Sequence, residues 1–107
     1  MQTFKIEKRY SSEILIEGEA ETFREFVEKN KSNLRGSNLS DSNLSGSNLS
    51  DSNLSDSNLS GSDLRGSDLR GSDLSGSDLS GSDLRWVKIK VSQKEELLKA
   101  LRIEIIK

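Results

Sequence analysis

Eleven leucines recur at every fifth residue between Lys31 and Arg85: Leu34, Leu39, Leu44, Leu49, Leu54, Leu59, Leu64, Leu69, Leu74, Leu79 and Leu84. Each is preceded by Asn or Asp and, one residue earlier, by Ser. Each is followed by Ser or Arg and then by Gly or Asp, until Arg85 hands over to Trp86. On an α-helix, at about 100° per residue, a five-residue step leaves successive leucines about 140° apart, so no stripe forms. On a flat strand an odd period sends them to opposite faces. A chain that bends in the same sense after every fifth residue does gather them into one interior. The corner residues suit that bend, since Gly accepts positive φ without strain and Asn and Asp tolerate it better than most. Repeated bends make a coil, and stacked coils make a solenoid. A stretch rich in Ser, Gly, Asn and Asp could also be a flexible linker. A linker, however, has no reason to place leucine with a strict period.

The units Ser-Asn-Leu-Ser-Gly and Ser-Asp-Leu-Arg-Gly resemble the pentapeptide-repeat family, whose usual unit is Ala-(Asp/Asn)-Leu-x-x, over about half of the chain. The resemblance implies a mainly β fold, a right-handed quadrilateral β-helix with four units per coil. Leu and the residue two before it then face inward. The family prefers Ala at that second inward place, but here it is Ser in every unit from Ser32 to Ser82. A buried hydroxyl left without a partner costs about 1–3 kcal/mol, so each needs a backbone group or a water. With four units per coil, the inner columns are Leu34-Leu54-Leu74, Leu39-Leu59-Leu79, Leu44-Leu64-Leu84 and Leu49-Leu69-Ile89. Val87-Lys88-Ile89-Lys90 then reads as a degenerate twelfth unit, with Val87 and Ile89 inward. The result is about three coils, spaced ~4.8 Å apart if they pair like strands.

The chain divides into an N-terminal cap (1–30), the repeat body (31–91) and a C-terminal cap (92–107), one domain overall. Phe4, Ile6 and Lys8 alternate with Lys5, Glu7 and Arg9, which predicts a strand. Tyr10 to Glu13 turns the chain, and Ile14-Leu15-Ile16 form a second strand stopped near Gly18. From Ala20 to Lys29, Phe23, Phe26 and Val27 share one face of a helix. At the other end, Ser92 and Glu95 have the spacing of a capping box, and Leu97, Leu98 and Leu101 give the following helix an apolar face. Arg102 to Lys107 alternates briefly and reads as a strand. Leucine burial alone does not offset the entropy of ordering the repeat body. Coil-to-coil hydrogen bonds and both caps must supply the rest, so deleting either cap is expected to give an unfolded or aggregating product.

Sixteen basic and eighteen acidic residues leave a net charge of −2, too little to argue for nucleic-acid or membrane attraction. The chain has no Cys, His or Pro. It also lacks an apolar run of membrane-spanning length and a secretory start, so a cytoplasmic location is the default expectation. With no cleft-forming insertion and no ordinary nucleophile or base, neither catalysis nor a cofactor is expected. Asp51-Ser52-Asn53 and Asp56-Ser57-Asn58 lack the spacing of a calcium loop. The Asn-Leu-Ser triplets match a glycan acceptor pattern that is idle without secretion.

The candidate contact residues are Trp86, Arg65, Arg70, Arg85 and Lys90 on the repeat surface, with Ile103, Ile105 and Ile106 in the C-terminal segment. Asp63, Asp68 and Asp83 each stand two residues before an Arg, on the same face of an extended segment, and can pair with it. Some members of the resembled family bind type II topoisomerases by imitating DNA, and those are long, broadly acidic rods, often dimers joined through a terminal helix. The shorter, charge-compensated repeat here favours a non-catalytic structural or protein-interaction scaffold. Its partner is an unidentified protein or a further copy met through the terminal caps. A DNA-mimic inhibitor of DNA gyrase is the alternative.

Overall fold

The computed structural model describes residues 1–102. Ile103, Ile105 and Ile106, and the strand expected around them, lie outside the described residues. The chain opens with an antiparallel hairpin, β1 (Gln2–Lys8) and β2 (Ile14–Ala20), with Ile6 opposite Ile16 and Phe4 opposite Gly18. Alternation places Phe4, Ile6, Ile16 and Ala20 on the inner face, where Ile6 and Ala20 are buried and Phe4 and Ile16 pack beside them. Gly18 does not stop β2, which continues to Ala20. It instead leaves room for an aromatic ring, since a Cβ there would lie 3.1 Å from Cε1 of Phe26.

Helix α1 (Phe23–Lys29) starts where the Thr22 hydroxyl accepts the Glu25 N–H at 3.1 Å, and it ends where the Asn30 side-chain amide donates to the Phe26 carbonyl at 2.8 Å. Its Phe23 and Phe26 rings pack on Phe4 with centroids 5.6 and 5.7 Å away. A single 3₁₀ turn, Lys31–Asn33, leads into the repeats. The first extended segment of the repeats, β3 (Ser37–Asn38), pairs antiparallel with β1, so the sheet order is β2-β1-β3. The hairpin is therefore hydrogen-bonded to the start of the repeat body.

From there the backbone pairs with itself at twenty-residue spacing. Parallel bridges join Asn38 to Asn58, Asn43 to Asp63, Asn48 to Asp68, and so on up to Asp68 with Lys88. Twenty residues are four pentapeptides. The N–H groups of Leu39 to Leu69 point to the next coil, as in Leu39 to the Asn58 carbonyl at 2.7 Å and Leu64 to that of Asp83 at 2.9 Å. The corner N–H groups from Gly36 to Gly66 do the same, as in Gly61 to the Ser80 carbonyl at 2.9 Å. From Asn53 to Asp83 the N–H before Leu points the other way, as in Asn58 to the Ser37 carbonyl at 2.8 Å. Within a unit, each inward Ser N–H closes a turn onto the carbonyl of the Leu three residues earlier, at 3.0–3.3 Å. That turn is the bend the leucine period demands.

The corners adopt positive φ. Gly36, Gly46, Gly61, Gly66, Gly71, Gly76 and Gly81 lie at 67–77°, and Asp41, Asp51 and Asp56 at 56–57°. Each of these Asp carboxylates folds over the corner one coil above it. A Cβ at Gly61, Gly71 or Gly76 would collide with Asp41, Asp51 or Asp56 respectively. A corner column can thus hold Asp only where the next coil supplies Gly.

Ten leucines, Leu34 to Leu79, are buried at 0–2% exposure. Leu84, Val87 and Ile89, expected in the same interior, are half-buried at its edge. No further coil covers them among the described residues, and helix α2 (Lys94–Ala100) closes only part of this end through Leu97, Ala100 and Leu101. The inward serines divide. Ser57, Ser62, Ser72, Ser77 and Ser82 donate their hydroxyls to the Leu carbonyl three residues earlier at 2.6–2.7 Å. The hydroxyls of Ser37, Ser47, Ser52 and Ser67 are buried without a partner among the described residues.

The expected Ser92–Glu95 capping box does not form. A 3₁₀ turn, Val91–Gln93, precedes α2, and Gln93 rather than Ser92 carries the side-chain bonds at this end.

Candidate interaction surface

Every pentapeptide from Asn38 onward to Asp83 builds its outer face in the same way. The side-chain oxygen of the Asn or Asp before Leu accepts the N–H of the residue after Leu, as in Asn58 with Ser60 at 3.0 Å and Asp68 with Arg70 at 3.1 Å. Where that residue is Ser, its hydroxyl donates to the same oxygen, at 2.6 Å for Asn53 with Ser55. The Asn or Asp is thus an acceptor that locks the segment after Leu, a role distinct from tolerating a corner conformation. The sequence carried the signal in its restriction to Asn and Asp, the two short side chains with an oxygen at this reach.

Where Arg follows, the pair becomes a two-pronged ion pair. Arg65 donates from Nε and Nη2 to Asp63 at 2.9 and 2.7 Å, Arg70 to Asp68 at 2.9 and 2.8 Å, and Arg85 to Asp83 at 3.0 and 2.7 Å. These guanidiniums hold the Asp68 and Asp83 carboxyls down at about 2, mainly through the side-chain hydrogen bonds. Asp63 is lowered by Arg65 in the same way, and Asp73 and Asp78 by the hydroxyls of Ser75 and Ser80. The arginines of the repeat surface are therefore engaged with their own carboxylates.

Trp86 stands apart. It takes the corner place in the column of Gly46 and Gly66, at φ 62°, and is 75% exposed. Helix α2 does not cover it. The guanidinium carbon of Arg85 sits 5.5 Å from the indole centroid. Val91, the next corner, is 90% exposed. Lys88, Lys90 and Lys94 around them are exposed and make no ion pair among the described residues.

Two residues that no local pattern singles out tie the caps to the coils. Arg9 runs along one corner column. Its N–H donates to the Gly36 carbonyl at 2.7 Å, its Nη1 to those of Asp56 and Gly76 at 3.3 and 3.0 Å, and its Nη2 lies 3.9 Å from Asp78. Beside it is a groove of 580 Å³ lined by Tyr10, Leu15, Arg35 and Arg102 among others. Arg35 faces Asp56 at 3.6 Å and Arg102 faces Asp78 at 3.8 Å, so the charges of the groove are balanced. At the opposite end, Gln93 is buried. It accepts the N–H groups of Gly71 at 3.0 Å and Lys90 at 2.8 Å, and donates to the carbonyls of Leu69 and Ser72 at 2.8 and 3.0 Å. One side chain thus answers the Gly71 N–H and the Ser72 carbonyl, groups that pair between coils elsewhere in the body.

No cluster of three or more His, Cys, Asp or Glu side chains that could hold a metal occurs among the described residues. No helix among them is long and apolar enough to cross a membrane.

Five-residue units stacked through parallel backbone pairing define a β-solenoid. The sequence matches the family model described as pentapeptide repeats, in eight copies over residues 30–56 and 52–89, and the chain belongs to that family. Membership implies a right-handed β-helix. Among solved structures, the chain is similar to the pentapeptide repeat protein Rfr23 from the cyanobacterium Cyanothece 51142, with 34% identity, 50% of this chain and 40% of that one covered, and a TM-score of 0.47. It is similar to alr5209, a pentapeptide repeat protein from Nostoc Pcc 7120, with 31% identity, coverage of 50% and 56%, and a TM-score of 0.23. It is also similar to QnrB1, a plasmid-mediated fluoroquinolone resistance protein, with 26% identity, coverage of 68% and 46%, and a TM-score of 0.22. The chain spans 40–56% of the length of these proteins. Comparison with curated proteins finds no match.

Proposed function

We propose that the protein is a non-catalytic scaffold, a quadrilateral β-helix of three coils capped fully at its first end and partly at its last, which presents Trp86 and Arg85 to a protein partner. Pentapeptide repeat proteins are generally scaffolds of this kind. The observation that carries the proposal is the conformation of Trp86. A left-handed backbone costs a non-glycine residue about 1–2 kcal/mol. Gly46 and Gly66 hold the two corners beneath it without that cost. The indole recovers little of it by burial, being 75% exposed with Arg85 beside it. Outliers of this sort collect at functional positions, and Trp and Arg are among the residue types enriched at interface hot spots.

The test is a photo-activated cross-linker in place of Trp86, with the same group in place of the exposed Ser75 as control. Position 86 is expected to capture a defined protein that position 75 does not. Equal labelling from both positions contradicts the proposal. The alternative, a DNA-mimic inhibitor of a type II topoisomerase, calls for a continuous negative surface. Asp63, Asp68 and Asp83 are each closed by an arginine, which breaks that surface. Inhibition of gyrase supercoiling by the purified protein would reverse the preference.

A further inference from the structure

We infer that the scaffold's partner is a second copy of this chain, and that copies join head to tail, the C-terminal end of one against the N-terminal cap of the next. The inference rests on the scaffold reading and supplies its occupant. Its basis is an uneven distribution of charge. In the repeat body, Arg35, Arg65, Arg70 and Arg85 each face a carboxylate. Residues 31–85 as a whole hold five basic and eight acidic side chains, so the body and the N-terminal cap are both acidic and only the C-terminal end is basic. Residues 1–30 hold five basic and seven acidic side chains, whereas residues 86–102 hold five basic and two acidic. Among the described residues, the exposed Glu17, Glu19, Glu21 and Glu25 of the N-terminal cap make no ion pair, and they outnumber the exposed Lys5, Arg24 and Lys29, which make none either, Lys5 standing across the hairpin from Glu17; at the other end Lys88, Lys90 and Lys94 make none.

Opposite charges at opposite ends decide how copies could meet end to end. An end-to-end two-fold contact places one end against itself, and here that would set lysine against lysine or glutamate against glutamate. A head-to-tail contact sets lysine against glutamate, which is the arrangement electrostatic complementarity selects. Apolar groups stand among those charges on both sides. Trp86 and Val91 are 75% and 90% exposed at the basic end, and Ile14 is 46% exposed on the hairpin. A contact the size of the molecule's two shorter extents, 27 and 20 Å, buries about 1,000 Å² in all, the low end of specific interfaces. The contact is therefore weak, reversible and salt-sensitive. Because it does not close on itself, it yields short open strings of copies.

Sedimentation velocity on the full chain tests this, from about 5 to about 500 µM protein, in about 20 mM and about 500 mM salt. Average mass is expected to climb past the dimer with concentration at low salt, and the association to weaken at least tenfold at high salt. Two variants sharpen the test. Glu17→Lys with Glu19→Lys makes both ends basic, and Lys90→Glu with Lys94→Glu makes both ends acidic. Each alone is expected to stay monomeric with an unchanged circular dichroism spectrum, and an equal mixture to associate. Any of three results overturns the inference: a monomer at every concentration, a closed dimer indifferent to salt, or association surviving in the Glu17→Lys, Glu19→Lys variant. A folded monomer that still cross-links another protein through position 86 would remove this occupant and leave the scaffold reading standing.

Discussion

The two ends of the solenoid are closed by different means. At the N-terminal end a whole strand is supplied, since β1 pairs with Ser37 and Asn38. Side chains of α1 then substitute for a missing coil. The Glu28 carboxylate accepts the Asn48 N–H at 2.6 Å, and Arg24 reaches the Ser45 carbonyl at 3.4 Å. The leucines above this lid, Leu34 to Leu49, are fully buried. At the C-terminal end one short helix and one glutamine do the work. The Leu79 N–H finds the Ala100 carbonyl at 2.6 Å, and Gln93 answers the backbone of Leu69, Gly71 and Ser72. Leu84, Val87 and Ile89 stay half-buried. A solenoid end must satisfy both apolar side chains and outward-pointing N–H and C=O groups. The first lid satisfies both kinds broadly. The second satisfies a few backbone groups well and leaves apolar area uncovered, next to the exposed Trp86.

The largest test of that contrast removes the aromatic floor of the first lid. Phe26→Ala is expected to cost about 3–5 kcal/mol and to unfold the whole body in one chemical-denaturation transition. A smaller loss than from Leu84→Ala would invert the comparison. At the other lid, Gln93→Ala strips partners from buried groups of Leu69, Gly71 and Ser72, at about 1–3 kcal/mol. Its effect should be confined to amides of the last coil in hydrogen exchange. Between the lids, Ser67→Ala removes a buried hydroxyl without a partner and is expected to stabilise by about 1 kcal/mol. Ser62→Ala deletes a 2.6 Å bond to the Leu59 carbonyl and should not stabilise. Equal melting shifts for the two variants would sink that distinction.

The smallest expected effect is that of pH. The Asp68 and Asp83 carboxyls lie at about 2 in the folded chain, against an ordinary value of 3.8. A depressed carboxyl contributes stability that is complete above the ordinary value and lost as pH falls through the folded one. Stability should therefore be flat above pH ~5 and decline between ~4 and ~2. Arg70→Gln and Arg85→Gln should shallow that decline.

The leucine period alone revealed the coiled body, because neither a helix nor a strand can collect side chains spaced by five. The same residues did not reveal how the ends close. Gln93 acts through contacts with residues more than twenty positions away, and no local pattern marks it. Arg9 looked like the last alternating residue of a strand, yet it reaches carbonyls of two coils. Gly18 read as a stop because glycine usually weakens strands, whereas its meaning is the Phe26 ring packed against it. Ser92 offered a capping box by spacing alone, but the 3₁₀ turn ahead of α2 put Gln93 at the helix start instead. The outer Asn and Asp were visible as a restriction, and their role as acceptors appeared only once the segment after each Leu was in place. In each case the periodic part was legible because every unit repeats the same local problem, and the ends were not because each is solved once.

Residue-resolved amide hydrogen exchange on the intact protein tests the central claim most directly. The Leu39, Leu44, Leu49, Leu54, Leu59 and Leu64 amides donate to the next coil, and they are expected to exchange slowest and together. The Leu84 amide, which has no backbone acceptor among the described residues, should exchange fast. Uniformly rapid exchange of the leucine amides, or protection highest at Leu84, would contradict a stack of coils sealed more tightly at its first end than at its last.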